Sequence, residues 1–265
     1  MLMHENFIDY QGSRLHYDKA GHGPIRLLIF HGFGQDHKVF GVWVKALQNK
    51  YTIYAFDLYF HGQSTWPLRR PVGKKDWKQI LVLFLEQEKI ESFAVAGFSL
   101  GAKFALATLE TFPDKVKKVI LMAPDGIKTS LWYDLATYPI AIRSLFKSMV
   151  LKPDRFFAMA RFFQRVGLVN KGLLRFAESQ MDTEEKRRRV YYSWVYFRHL
   201  KFDIPSVAAI LNHHLIPLLM LVGQFDKVIP AKNMEGLLKR LHLKQFEIID
   251  AGHNELVKAA VELIR

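Results

Sequence analysis

Short apolar runs bounded by turn residues alternate along this chain with segments of helical period, and no other feature restricts the fold as much. Leu27–Phe30, Tyr51–Phe56, Phe93–Ala96, Val119–Met122, Leu218–Val222 and Phe246–Ile249 read as buried strands. Between them Asp36–Leu47, Asp76–Glu88, Leu100–Thr111, Ala231–Leu241 and Glu255–Ile264 read as helices. Phe7–Tyr10 and Arg14–Tyr17, joined across Gln11-Gly12-Ser13, read as an opening hairpin. The pattern predicts an α/β fold, a mostly parallel sheet flanked by helices. Ligand crevices in such sheets form beyond the C-terminal ends of the strands.

The rhythm breaks once. From about Lys128 to Asp203 there are only helical, aromatic-rich segments such as Arg155–Gln164 and Lys186–Phe202, and the core pattern resumes at Pro205. The expected division is a core of residues 1–126 and 204–265, with residues 127–203 inserted as a helical cap over the C-terminal edge of the sheet. With 265 residues, 50% of them apolar and 14% aromatic, the chain can bury a large core, which sets aside disordered and fibrous classes.

Cysteine is absent, which removes disulfides, thiolate metal sites and a cysteine nucleophile. The first 21 residues hold no apolar run of signal-peptide length, and the most apolar stretches fall well short of the ~20 residues of a membrane span. A soluble cytoplasmic protein is expected. The net charge of +13 favours an acidic partner or simply a solvated surface. Much of it is concentrated between Lys128 and Arg198, where 14 Lys and Arg face 6 Asp and Glu.

Chemistry concentrates just after strand ends. Gly97-Phe98-Ser99-Leu100-Gly101 lies between a strand pattern and a helical one. So sharp a turn strains its central residue, relieves crowding with glycines two positions to either side, and presents the hydroxyl at the helix N-terminus. A serine hydroxyl needs a base, and the base needs an orienting acid. His253, in Asp250-Ala251-Gly252-His253-Asn254, follows the last strand and is the candidate base. Asp226, in Gly223-Gln224-Phe225-Asp226, follows the penultimate strand and is the favoured acid, with Asp125 after Ala123-Pro124 as its rival. His31 and His61 precede glycines in turns and look structural, while His213-His214 lies before a strand, at the wrong end of the sheet.

These motifs together resemble the α/β-hydrolase family over nearly the whole chain. His31-Gly32-Phe33-Gly34 matches the family's oxyanion-loop motif, and the resemblance implies that the backbone N–H groups of Phe33 and Leu100 form the oxyanion hole. Asp57-Leu58-Tyr59-Phe60-His61-Gly62-Gln63-Ser64 is similar to the family's D-x-x-G-H-G-x-S turn, with Phe60 where a glycine is usual. Ser99, Asp226 and His253 fall in the family's order, and the helical insertion falls where its cap does. A serine at the nucleophile position speaks against the dehalogenase and epoxide-hydrolase branches.

The expected activity is hydrolysis of a carboxylic ester of a small, partly hydrophobic substrate through an acyl-enzyme, without cofactor or metal. Thioester hydrolysis and carbon–carbon cleavage of an anionic metabolite share the mechanism, and a non-catalytic binding protein is the reading from another class. Aromatics of the insertion, among them Trp132, Tyr133, Phe146, Phe157, Tyr191 and Trp194, pack the cap, and some could line an apolar pocket. Glu184-Glu185-Lys186-Arg187-Arg188-Arg189 reads as a solvated helix start, or more sharply as a weak contact to anionic membrane. Lys103, four residues past Ser99, is a second candidate anion contact. No nucleic-acid recognition element is visible, and oligomeric state is not written in the sequence.

Overall fold

Eight strands form one sheet in the order β1-β2-β4-β3-β5-β6-β7-β8 in a computed structural model that describes residues 6–128, 137–151, 153–165 and 182–264. β1 (Asn6–Tyr10) and β2 (Ser13–Ala20) make the opening hairpin, and β2 pairs antiparallel with β4 (Tyr51–Phe56). β3 (Ile25–Phe30), β4, β5 (Phe93–Phe98), β6 (Val116–Met122), β7 (Leu218–Gly223) and β8 (Lys244–Ile249) run parallel. Each expected strand is present, most of them longer by one to three residues.

Because side chains alternate along a strand, the central strands feed two different layers. Leu27, Ile29 and Ile53 face a cluster with Phe40, Trp43 and Leu47 of the segment leading through α1 (Gly41–Leu47). Leu256, Val257 and Val261 from the last turns of the chain complete that layer, and the Trp43 indole N–H donates to the Val257 carbonyl at 2.7 Å. On the other parity, Phe30 meets Trp77 of α2 (Lys74–Gln87) and Phe104 of α3 (Gly101–Thr111) at ring separations of 5.5 and 6.2 Å. The Trp77 N–H donates to Thr108 at 3.0 Å, so the Trp43 and Trp77 indoles are both satisfied.

The chain divides into two compact units, residues 1–128 with 200–265, and residues 129–199. The second unit contains α4 (Ile140–Leu151), α5 (Pro153–Arg165) and α6 (Glu184–Tyr196). Val150, Tyr191 and Val195 form its small core, with Phe146, Phe157, Tyr192 and Tyr196 packed against them. Trp132 and Tyr133 lie outside the described residues. The charged run starting at Glu184 is the first part of α6, where Arg188 pairs with Glu184 and Arg189 with Glu185, each at 2.7 Å and one turn apart. Much of that charge is therefore neutralised along the helix itself.

One helix of the first unit has no counterpart among the sequence expectations. α7 (Ile204–His213) begins at Ile-Pro, where a proline reads as a breaker; here it occupies the first turn, and Asp203 caps the helix by accepting from the Ser206 N–H at 3.0 Å. The other differences are of degree. Ala231–Leu241 and Glu255–Ile264 fold as short successive turns rather than as continuous helices. Among the described residues no helix is long and apolar enough to cross a membrane.

Two loops beyond the strand ends are fixed by buried polar contacts. Asp57, wholly buried, accepts four bonds: at Oδ1 from the His37 N–H and the His37 ring, at Oδ2 from the His16 ring and the Gln63 N–H, all between 2.8 and 2.9 Å. Burial disfavours its charge, but these donors outweigh burial and hold the carboxyl far below the usual carboxylate range. His31 is also fully buried. Its Nε2 accepts the Leu58 N–H at 3.0 Å, which leaves Nδ1 to carry the proton and donate to the Gly32 carbonyl at 2.7 Å. Burial pushes its pKa down to about 4, because the imidazolium would lose its water and direct a second N–H at a donor.

Two outcomes follow from this packing. A Cβ on Gly101 would overlap the Phe30 carbonyl oxygen, so Gly101→Ala should cost at least about 2 kcal/mol and lower Tm by roughly 5 °C or more in a thermal melt. His31 takes up its proton near pH 6.5 when unfolded but only near 4 when folded, so acidification through that window favours unfolding, by about 3 kcal/mol from this group alone. His37, whose pKa its bond to Asp57 raises, acts in the opposite sense. Nitrogen NMR at pH 5.5 should find the His31 ring neutral with its proton on Nδ1; a ring that titrates near 6.5 contradicts the assignment.

Candidate active site

β5 ends at Phe98 and α3 begins at Gly101, so the chain reverses within two residues. Ser99 absorbs the turn with φ at +50°, a left-handed conformation unfavourable for a residue with a Cβ. The surroundings hold it there: the Ser99 N–H donates to the Met122 carbonyl at 2.9 Å, and the Ser99 carbonyl accepts the Ala102 N–H at 3.0 Å. A Cβ on Gly97 would sit 2.7 Å from the Ala102 main chain. Strand and helix are thus pressed together, and the strained serine is left between them with its side chain partly open to solvent.

Two further loops converge on this serine. His253 Nε2 lies 3.1 Å from Ser99 Oγ, and His253 Nδ1 lies 2.6 Å from Asp226 Oδ2. The other Asp226 oxygen accepts the N–H groups of Val228 and Ile229, both at 2.8 Å. Burial opposes ionisation of Asp226, but the bond from His253 and the two backbone donors prevail and hold its carboxyl below the ordinary value. An ionised Asp226 can only accept, so Nδ1 of His253 carries the proton and Nε2 is bare toward the serine hydroxyl. The ring also lies against Phe98, with centroids 5.0 Å apart. The chain therefore brings Ser99, His253 and Asp226 into one hydrogen-bonded row. Asp125 is not in that row; its carboxylate lies 3.0 Å from Lys103 Nζ.

Phe33 and Leu100 bracket the same region. Because Gly101 is pressed against the Phe30 and His31 carbonyls, the start of α3 lies directly beside the segment that leads into Phe33. Gln35 fixes that loop by accepting the Gly32 N–H on its side-chain oxygen at 3.0 Å. Among the described residues no protein acceptor takes the N–H of Phe33 or of Leu100. Phe60, in the position usually held by glycine, adopts φ of +67°, so the backbone that glycine would permit is kept at the expense of strain.

Sequence reasoning did not single out Gln35, His16 or His37. Of these, His16 and His37 carry no local signal, because their role appears only when β2 and the 37–40 turn are folded around Asp57. His16, His37 and Asp57 also form the one set of metal-capable groups that gathers among the described residues, with ligand atoms within 4.8 Å of one another. Each Asp57 oxygen already accepts two N–H donors, so this donor set is a saturated hydrogen-bond node as it stands. His214 lies at the other end of the sheet, 3.2 Å from Asp114. A shallow cavity of about 390 Å³, lined by Leu85, Ile90, Phe112 and Lys115, also opens at that end and holds none of the candidate site residues.

Comparisons with known proteins agree with this architecture. The profile of the alpha/beta hydrolase fold family matches residues 25–259. A poly(3-hydroxyalkanoate) depolymerase from Ectopseudomonas oleovorans is 26% identical over 247 residues, 88% of this chain and 80% of that protein. The dihydrolipoyllysine-residue acetyltransferase component of the acetoin cleaving system of Cupriavidus necator is 32% identical over 120 residues, which are 45% of this chain but only 32% of that longer protein. Among solved structures, a thermophilic esterase from Thermogutta terrifontis superposes with a TM-score of 0.72 at 18% identity, covering 99% of this chain and 97% of that one. That likeness concerns the fold. The matched profile spans nearly all of the strands and helices described above, and the chain belongs to the alpha/beta hydrolase fold family.

Proposed function

We propose that this protein hydrolyses carboxylic esters of small, partly hydrophobic substrates through an acyl-enzyme on Ser99. The observation that carries the reading is the row Asp226–His253–Ser99, with bonds of 2.6 and 3.1 Å. In this scheme the serine proton moves to His253 Nε2 as Oγ attacks the carbonyl carbon, and Asp226 stabilises the imidazolium that results. The negative charge that develops on the carbonyl oxygen is received by the Phe33 and Leu100 N–H groups, aided by the positive end of α3. The imidazolium then protonates the departing alcohol. Water, deprotonated by the same nitrogen, attacks the acyl carbon, and collapse returns the proton to Ser99. Every step uses groups of this chain, the substrate and one water molecule, and calls for no cofactor or metal.

The ester-cleaving names among the similar proteins, the depolymerase and the esterase, support this substrate class. The unit of residues 129–199 is inserted in sequence between β6 and α7, and we assign it the selection of the acyl or alcohol part. A panel of p-nitrophenyl esters and matched thioesters of increasing chain length tests the proposal. Wild type should turn over short to medium oxyesters, and Ser99→Ala should lower kcat by roughly 10⁴-fold or more, as loss of a nucleophile does in such triads. Asp226→Asn should fall within about a factor of ten of that loss, because the histidine then loses its required tautomer. Full activity of Ser99→Ala would refute the scheme, and faster thioester turnover would reassign the substrate.

A further inference from the structure

The loop after β6 is built at a cost that the row of catalytic candidates does not explain. Within four residues of the strand end, Ala123 takes φ of +40° and Gly126 φ of +104°. The result of this contortion is that the Asp125 N–H reaches the Ser99 carbonyl at 3.1 Å, the same oxygen that the Ala102 N–H reaches from within α3. The Asp125 carboxylate meanwhile lies 3.0 Å from Lys103 Nζ, on the first turn of α3. The two partners are unequal: the Lys103 side chain is 4% exposed and that of Asp125 37%. Gly126 makes room for the lysine stem, since a Cβ there would lie 3.2 Å from Lys103 Cγ and 3.3 Å from Phe202. Burying an ammonium group is unfavourable, and a strained alanine adds to it. Both belong to the contact between α3 and the loop whose Asp125 N–H reaches the carbonyl of the candidate nucleophile.

We propose that Lys103 and Asp125 form a clamp that holds the Ser99 main chain in its attacking conformation, so that both are positioning residues for the reaction; this rests on the reading of Ser99 as nucleophile. The ion pair joins the first turn of α3 to the β6 exit loop across the serine. While it is closed, the Asp125 N–H stays on the Ser99 carbonyl, and Ser99 cannot relax from φ of +50° without moving that loop. With the clamp open, the serine spends less time aligned with His253, which slows chemistry and leaves substrate binding alone.

Asp125→Asn, Lys103→Met and the double variant test this, each checked by thermal melt for a folded chain. Three readouts are compared with wild type: kcat and KM on a neutral ester, the second-order rate of fluorophosphonate labelling, and hydrogen–deuterium exchange at the Asp125 amide. Each single variant should lose about 10-fold in kcat and labelling rate with KM within about 2-fold, and the Asp125 amide should exchange at least about 10-fold faster. The double variant should be no worse than the weaker single, because both changes open one clamp. Multiplying losses, an effect confined to KM, or an Asp125 amide that stays protected in all three variants would overturn the proposal. A purely KM effect limited to anionic esters would make Lys103 a substrate contact instead. If wild type itself fails to label, the reading of Ser99 falls, and amide exchange alone decides the clamp.

Discussion

A single residue held in a conformation it would not choose organises this molecule. Ser99 sits at φ of +50°, and left to itself a serine would relax from that geometry by an amount of order 1 kcal/mol or more. What holds it there is the contact between β5 and α3, closed by glycines at 97 and 101, together with bonds to its own N–H and carbonyl from β6, from α3 and from the loop beyond β6. Those elements are in turn fixed by the aromatic layer of Phe30, Trp77 and Phe104 and by the central strands. The sheet thus stores local strain at one hydroxyl and supports it through a large, well-packed core.

The other groups reach the serine by a different kind of physics. His253 and Asp226 stand on loops rather than on rigid elements, and their placement depends on hydrogen bonds with defined donors. Asp226 spends one oxygen on two backbone N–H groups and the other on the imidazole, which fixes both its charge and the ring's tautomer. The same logic recurs beside the loop that leads into Phe33, where Asp57 saturates both oxygens and His31 is held neutral by one accepted and one donated bond. The buried His16 and the half-buried His37 therefore serve architecture around a carboxylate, while His253 keeps Nε2 toward the Ser99 hydroxyl.

How much of this could be read from residues alone depends on range. The parallel strands were legible because a run buried on both faces has few other interpretations, and the Ser99 turn was legible because its glycines, serine and flanking patterns all lie within a dozen residues. The preference for Asp226 over Asp125 rested on less, since both follow strand ends, and the folded loops show that Asp226 reaches His253 and Asp125 reaches Lys103. α7 was hidden by a proline that starts a helix rather than ending one. The node around Asp57 brings together residues 16, 37 and 57 across three separate elements, a pairing no local pattern encodes. The basic run in α6 reads from sequence as a solvated helix start, and in the fold Arg188 and Arg189 pair with acids one turn away.

The central claim is that the fold activates one serine out of the whole chain, and covalent stoichiometry addresses it most directly. Native protein would be incubated with a fluorophosphonate, then analysed by intact-mass spectrometry and peptide mapping, beside heat-unfolded protein and Ser99→Ala. The account predicts one adduct per native chain, on the peptide containing Ser99, and none in either control. An adduct on another residue, or folded wild-type protein that stays unmodified at high probe concentration while Ser99 is accessible to solvent, would contradict it.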